Sequence, residues 1–394
     1  MLEFKDFFNT DLTPKWEFIE SIPEFEAMKG CEHSKHWHLE GDPLEHTKLV
    51  VGNAVMLVKN RSNFIYECLG NSFESEALLM ASLFHDIGKP TVTKWDETKQ
   101  DWTAPFHAEV GSKMTRRILF DWIDLRQREL IVSLVRNHMV MHHILEQTSD
   151  SPVKLYRFCS EGAGSACSYE LAAALCYCDD CGSICLDEPF VYKHMKAKRI
   201  HDRMFRLYEN GFQAATPLAP QKLIAQNHYY NKDIDQNVPK HDFKVYVMIG
   251  LPGSGKSTWA KEQGLPIVSR DIARVELGFC KEGEKYLGDK QEEDAVTKHI
   301  NEKILKYAEE KTDFIIDNTH LKQKYRDGIH KLLEGKNAEF IYVYVEAPTL
   351  RETIRRREED GFGKGAEMII TNMLDGFEFP FPYEYDSLIF CKQR

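Results

Sequence analysis

Along roughly the first 205 residues, apolar side chains recur at three- and four-residue spacing, and two-residue alternation is scarce. That period predicts helix after helix. The stretch from about Glu74 to His85 is apolar almost throughout, and Gly88 and Pro90 stop it. Asp42-Pro43-Leu44-Glu45 reads as a helix start, with Asp42 as cap, Pro43 at the first position and Glu45 at the third. From His46 an inner stripe continues through Leu49, Val50, Ala54 and Leu57. Ile131, Leu134, Val135 and His138 form another stripe, and Leu171, Leu175 and Asp179 step by four.

The texture changes near Gly211. Residues 211–242 are polar, proline-containing and weakly periodic, which predicts a linker with one short helix. From Phe243 short apolar runs alternate with helical stretches. KVYVMIG, PIVSRD, FIIDNTH and EFIYVYVEA read as strands, with helices from Lys256, from Glu293 to Lys311, and from Leu321. That order predicts a parallel sheet with helices on both faces. The expected chain is multidomain: an all-α domain over 1–210, the 211–242 linker, and an α/β domain over 243–394.

At ~150 residues per domain, 394 residues suggest two or three domains. A hydrophobic content of 42% and a charged content of 29% are those of a soluble globular protein. The net charge of −11 argues against coating nucleic acid with the whole surface, and leaves room for local basic grooves. The N-terminus carries no signal-like apolar run, and no stretch approaches the ~18 apolar residues of a membrane span. The expectation is a cytoplasmic protein without a membrane partner, its ten cysteines reduced. Cys176, Cys178, Cys181 and Cys185 are spaced along one helix, which cannot wrap four ligands around one ion; they read as small buried hydrophobes.

Gly250-Leu251-Pro252-Gly253-Ser254-Gly255-Lys256-Ser257-Thr258 fits the phosphate-loop pattern G-x-x-x-x-G-K-[ST] between a strand and a helix. Its glycines let backbone N–H groups turn toward phosphate oxygens, and the helix N-terminus adds positive potential. Lys256 is expected to reach the β/γ phosphates of ATP or another nucleoside triphosphate, and Ser257 to hold Mg²⁺. Asp271, at the carboxyl end of the second strand, is a candidate to take a proton from an attacking hydroxyl, and Arg274 to clamp an acceptor phosphate. The same pair also reads as a helix cap and a surface arginine. Asp317, ending the third strand, supports Mg²⁺ or starts an Asp-Asn turn. Arg351, Arg355, Arg356 and Arg357, followed by Gly361 and Gly363, read as a mobile lid or as a solvated, ion-paired helix face.

In the N-terminal half, His85 and Asp86 sit at the inner end of the apolar helix, where ionisable groups are costly unless ligated or paired. His46, His138 and Asp179 occupy core-facing positions on the other stripes. His107 falls between His85-Asp86 and His138. Lys89 is read two ways, as a phosphate contact or as a helix-dipole residue. His38 lines the site or belongs to a polar entry loop with His33 and His36.

The order His46…His85-Asp86…His138…Asp179 resembles the HD superfamily of metal phosphohydrolases over residues 35–190. That resemblance implies one or two divalent transition metals, the two-ion form adding His107 and sharing Asp86. From Lys244 onward the chain resembles polynucleotide 5′-kinases, which implies functional roles for Lys256, Ser257, Asp271, Arg274 and Arg356. The second lid arginine of that family falls at about Asp360 here, with Lys364 nearby as a substitute. Together the halves resemble bifunctional HD phosphohydrolase–polynucleotide kinases of RNA repair. The implied activity is removal of 2′,3′-cyclic and 3′ or 2′ phosphates and phosphorylation of a 5′-hydroxyl on RNA, or DNA, ends beside a separate ligase. Two rival readings are a small-nucleotide phosphohydrolase fused to a nucleoside or metabolite kinase, and a nucleotide-sensing scaffold.

Overall fold

The computed structural model describes residues 2–60, 72–122, 124–142, 168–185, 199 and 241–392, apart from 283, 285, 287, 382 and 383. The chain divides into two compact units, Met1–Leu218 and Ala219–Arg394. The expected linker lies, up to residue 240, outside the described residues. Among them, no helix is long and apolar enough to cross a membrane.

In the first unit, helices α1 (Pro43–Lys59), α2 (Ser72–Phe84), α3 (His107–Ile118), α4 (Leu125–His142) and α5 (Ser168–Gly182) carry the candidate ligands or lead into them. Asp42 caps α1 by accepting from the N–H groups of Leu44 and Glu45, with Pro43 in the first turn. Helix α2 is buried on every side from Ala77 to Phe84, as a helix apolar all round must be. It packs against α1, α4 and α5. Phe84 meets Phe7 and Phe25 edge-on at 5.9 and 5.1 Å, so the N-terminal turns seal the end of α2. Each such buried ring contributes about 1.5–3 kcal/mol.

The inner face of α1 departs from expectation at one residue. Leu49 is 41% exposed, whereas Thr47, Val50, Val51, Ala54 and Leu57 are buried. At about 100° per residue, the buried arc is centred on the side of Ala54, and Leu49 falls outside it. A two-stranded hairpin, β1 (Lys94–Asp96) and β2 (Asp101–Thr103), is a further departure. Its strands are three residues long, too short for alternation to register. The free cysteines Cys176 and Cys178 are buried, Cys181 and Cys185 partly so, and Cys185 lies beyond the end of α5.

Two glycines set how closely the helices approach. A Cβ on Gly88 would stand 2.2 Å from the His107 carbonyl oxygen and 2.5 Å from Gly111 N. A Cβ on Gly182 would stand 2.6 Å from the Val50 side chain and 3.0 Å from Val50 N. The first contact draws the His85–Asp86 turn onto α3, and the second draws α5, with Asp179, onto α1.

The second unit is a five-stranded, wholly parallel sheet in the order β4-β5-β3-β6-β7. Its strands are β3 (Phe243–Ile249), β4 (Ile267–Val268), β5 (Phe314–Ile316), β6 (Ala338–Glu346) and β7 (Ser387–Lys392). The half-buried edge strand β7 is an addition to the four expected. Helices α6 (Lys256–Glu262), α7 (Arg270–Glu276), α8 (Lys290–Glu309), α9 (Gln323–Leu332), α10 (Leu350–Arg357) and α11 (Ala366–Asp375) connect them. Helix α8 starts three residues earlier than expected because Asp289 caps it, accepting from Glu292 N at 3.0 Å. Met248, Ile315, Val343 and Val345 pack with Ala260 in the core. Strand order reverses beside β3, which opens a crevice at the strand carboxyl ends.

Candidate metal centre and phosphate loop

In the first unit, His46, His85, His107 and His138 each have one ring nitrogen fixed by an acceptor that cannot donate. The Nδ1 of His85, His107 and His138 lies 2.9, 2.8 and 2.7 Å from the carbonyl oxygens of Ser82, Ala104 and Val135. His46 Nδ1 lies 2.8 Å from Glu40 Oε1. A carbonyl or carboxylate only accepts, so each Nδ1 carries the proton and each Nε2 of a neutral ring presents a lone pair. This is the outer-shell arrangement that orients histidine ligands to a metal.

The Nε2 atoms converge on Asp86, and they do so in two sets. His85 Nε2 and His46 Nε2 stand 3.3 and 3.8 Å from Asp86 Oδ2. Asp179 Oδ1 closes that set at 2.9 Å from His46 Nε2 and 3.7 Å from His85 Nε2. On the other oxygen, His107 Nε2 and His138 Nε2 stand 3.3 and 3.9 Å from Asp86 Oδ1. The two Nε2 atoms are 3.1 Å from each other. The side chains of His46, His85, Asp86 and His138 are almost wholly inaccessible to solvent.

Lone pairs and carboxylate oxygens pointed at one another in a buried space repel unless a cation lies between them. His85 Nε2 is buried with no hydrogen-bond partner. These donors fit divalent metal ions, with nitrogen and oxygen ligands of the kind transition metals take. His46, His85 and Asp86 could hold one ion together with Asp179, and Asp86, His107 and His138 another.

The electrostatics separate the two sets. Burial, with His107 and His85 beside it, lowers His138 to about 3. Burial also lowers His107. His46 moves the other way: burial opposes its charge, but hydrogen bonds to Asp179 and Glu40 raise it to about 9. Burial works against the Asp86 charge too, yet Lys89 and His85 hold its carboxyl well below the usual range.

Lys89 belongs to the cluster rather than to the helix dipole alone. Its Nζ is 2.6 Å from Asp86 Oδ2 and 2.7 Å from His33 Nε2. His38 stacks on His33 with ring centroids 3.5 Å apart, and its Nδ1 is 2.7 Å from Glu40 Oε1. Sequence reasoning missed Glu40, which holds His38 and His46 together. Its one signal is a carboxylate six residues before a candidate ligand. Behind the cluster, Glu129 on α4 accepts from Arg116 Nε and Nη2 on α3 at 3.1 and 2.9 Å, which ties the helices of His107 and His138 together.

In the second unit the loop after β3 adopts the backbone that only glycine takes easily. Gly250, Gly253 and Gly255 have φ of 152°, 75° and 95°. A Cβ on Gly250 would stand 2.5 Å from the Val345 carbonyl oxygen. Gly255 precedes α6, whose first residue is Lys256. Lys256 Nζ donates to Leu251 O at 2.7 Å, and burial lowers its pKa from 10.5 to about 8. Ser254 is buried, while Ser257 and Thr258 are exposed at the start of α6. The Ser257 hydroxyl bonds to Asp317, whose carboxyl is raised by burial.

Asp271 is in the first turn of α7, which Ser269 caps by accepting from Ile272 N at 3.1 Å. Its side chain is 92% exposed and 2.7 Å from Arg274 Nη1. Arg274 also donates to Glu293 Oε1 at 2.8 and 3.0 Å and lies 4.6 Å from the Tyr286 ring. Glu293, read from the sequence only as the start of a helix, therefore sets the arginine's direction. Arg356 on α10 reaches the loop directly: its Nη1 donates to Gly253 O at 2.8 Å and its Nε to Glu352 at 2.8 Å. The ion-paired reading of the arginine cluster fits Arg355, which is paired with Glu352 and Glu359 on the outer face. The side chains of Asp360 and Lys364 are outside those described. His320, buried beside β3 with φ of 39°, donates from Nδ1 to Met248 O at 2.8 Å.

Residues 44–179 match the HD domain family, and residues 245–380 match a AAA domain family. Among curated proteins, the chain is 26% identical over 137 residues to the L-seryl-tRNA(Sec) kinase of Methanococcus maripaludis, covering 34% of this chain and 53% of that one. It is 26% identical over 140 residues to the multifunctional CCA protein of Shewanella frigidimarina, covering 34% of this chain and 28% of that one. It is 39% identical over 62 residues to the CC-adding tRNA nucleotidyltransferase of Thermus thermophilus, covering 15% and 14%. The chain thus spans about half or less of each relative. It is a fusion of a helical HD hydrolase-like domain with a AAA-type P-loop, kinase-like domain.

Proposed function

We propose that this chain heals RNA ends, the first unit removing 2′,3′-cyclic and 3′ or 2′ terminal phosphates and the second phosphorylating a 5′-hydroxyl. The observation that carries the reading is Asp86, whose two oxygens face two separate ligand sets. A carboxylate shared between two cations suits in-line displacement at a phosphoester. Divalent ions held there would supply the Lewis acidity that makes water a nucleophile near neutral pH and steadies the departing oxygen. Glu40 and the backbone carbonyls keep the histidines oriented, and Lys89 is placed to neutralise phosphate charge. Two of the relatives carry tRNA in their names, which favours RNA as the substrate.

In the kinase-like half, Asp271 accepts the proton of the 5′-hydroxyl. The hydroxyl oxygen forms a bond to the γ-phosphorus of ATP or another nucleoside triphosphate, and the bond to the diphosphate breaks. Lys256, Ser257 with Asp317, and the loop N–H groups of Gly250, Gly253, Ser254, Gly255 and Thr258 bind the triphosphate and its Mg²⁺. Arg356 spans loop and transferring group, and Arg274 faces the acceptor. We place this work in the cytoplasm, upstream of a separate ligase that joins the ends.

The test is an RNA with a 5′-hydroxyl and a 2′,3′-cyclic phosphate, incubated with ATP, Mg²⁺ and Mn²⁺ or Ni²⁺ and weighed by mass spectrometry. A 5′ phosphate gained by wild type but not by Lys256→Ala, and a terminal phosphate lost with wild type but not with Asp86→Ala, would support it. Unchanged RNA from folded, metal-loaded protein would overturn it.

A further inference from the structure

The loop that enters the metal cluster also leaves it. His33 and His38 stack on each other inside, against Lys89 and Glu40. The residues between them turn outward and form one wall of a groove of about 600 Å³. The β1–β2 hairpin forms the other wall. Ser34 Oγ hydrogen-bonds to Asp101 and fastens the walls together.

The lining carries two indoles and two lysines beside Asp101. Trp37 is 56% exposed on the loop side, and Trp102 with Thr103 faces it from the hairpin. Lys35 and Lys99 stand exposed on the two walls. Trp95 pairs with Trp102 across the strands, edge-on at 5.7 Å, and holds the Trp102 ring in place. A monomer leaves large indole surface in water rarely, and here it stands among cations. Indole faces stack nucleobases whatever their sequence, and lysines track the phosphates between them. Asp101 is the one carboxylate in the lining, and its bond to Ser34 leaves Lys35 and Lys99 as the exposed charges on the two walls, where phosphates can meet them.

We infer that the groove between residues 34–37 and the β1–β2 hairpin binds the last nucleotides of a single-stranded RNA, stacking a base on Trp37 and Trp102 and presenting the strand's terminal phosphate to the adjoining metal cluster. The choice of RNA rests on the end-healing reading. The groove accounts for how a buried centre would take a polymer end rather than a free nucleotide.

The experiment is photocrosslinking of the full-length protein to a 5′-phosphorylated RNA carrying 4-thiouridine at its penultimate 3′ position, with crosslinked peptides mapped by mass spectrometry. The expected peptides contain Trp37 or Trp102. Trp37→Ala should reduce the yield on the order of 10- to 100-fold and Trp37→Phe restore most of it. In parallel, Trp37→Ala and Lys35→Ala/Lys99→Ala should raise KM for terminal-phosphate removal without changing kcat, metal content or hydrolysis of p-nitrophenyl phosphate. Crosslinks confined elsewhere, or a yield and KM indifferent to Trp37, overturn the groove while leaving end healing intact. Crosslinks in the groove with no phosphate removed overturn end healing and leave the groove.

Discussion

His107 and His138 aim their Nε2 atoms at each other across 3.1 Å, with both Nδ1 protons already committed to backbone carbonyls. Two lone pairs so placed are stable only around a shared cation. His138→Ala is therefore expected to remove one metal equivalent per chain, read by inductively coupled plasma mass spectrometry. The loss of a ligand should lower phosphate removal by at least about 100-fold, and leave 5′ phosphorylation unchanged. Unaltered metal content in folded His138→Ala would refute the assignment.

Glu40 governs His46 from behind. Glu40→Gln keeps an oxygen for the Nδ1 proton but removes the charge, and should weaken metal affinity by about 10- to 100-fold. The sign of the pH effect follows from His46. With the metal stripped, the ring keeps its proton up to about 9, and an ion must displace that proton. Apparent metal affinity should rise with pH, by about tenfold per unit, and level off near 9. A chelator competition series across pH measures this, and a flat profile would remove His46 from the ligand set.

Gly88→Ala places a methyl group against the His107 carbonyl and Gly111 N, both rigid backbone. The His85–Asp86 turn and α3 must separate. The expected cost is about 1–3 kcal/mol, seen in chemical denaturation, with a parallel fall in bound metal. Gly41→Ala, whose added carbon meets only the Glu45 side chain at 3.8 Å but whose φ of 128° resists it, makes a useful contrast: a stability loss without metal loss.

Lys256 should report on nucleotide binding through protons. Its pKa is about 8, because burial lowers it from 10.5. Triphosphate contact favours the charged form and pushes the value back up. Between those two values, binding takes up a proton and affinity falls as pH rises. Calorimetry at pH 9 in buffers of different ionisation enthalpy should detect the uptake, and Lys256→Arg should abolish it.

Arg326 and Glu384 form a fully buried pair in the second unit, at 2.6 and 3.2 Å, with Arg326 also donating to His320 O at 2.9 Å. Glu384→Ala strands a guanidinium and should cost about 3–5 kcal/mol, whereas Arg326→Met combined with Glu384→Leu should recover most of it. Equal losses in single and double variants, measured by denaturant unfolding, would contradict this.

Where a residue's neighbours lie close in sequence, the chain spells out its structure. The cap at Asp42, the apolar α2 and the strand–loop–helix at Gly250 are local patterns, and they appear as expected. His46, His85, Asp86, His138 and Asp179 were legible because each continues an inward stripe or ends one, whereas His107, the first residue of α3, was suggested only by the family resemblance. What stayed hidden depends on distant partners. Glu40 matters through His46 and Ile184, Glu293 through Arg274, and neither sits on an apolar stripe. The hairpin and β7 are short or edge elements whose pairing, rather than pattern, defines them.

Two cations at the phosphate loop are held by the loop itself: Lys256 donates to Leu251 O and Arg356 to Gly253 O. An incoming molecule must outbid those contacts before it gains anything. A nucleoside offers no anion to exchange, and a monophosphate reaches one partner at most. A ligand with several adjacent phosphates would replace both contacts at once, so the loop geometry favours molecules by how much charge they bring.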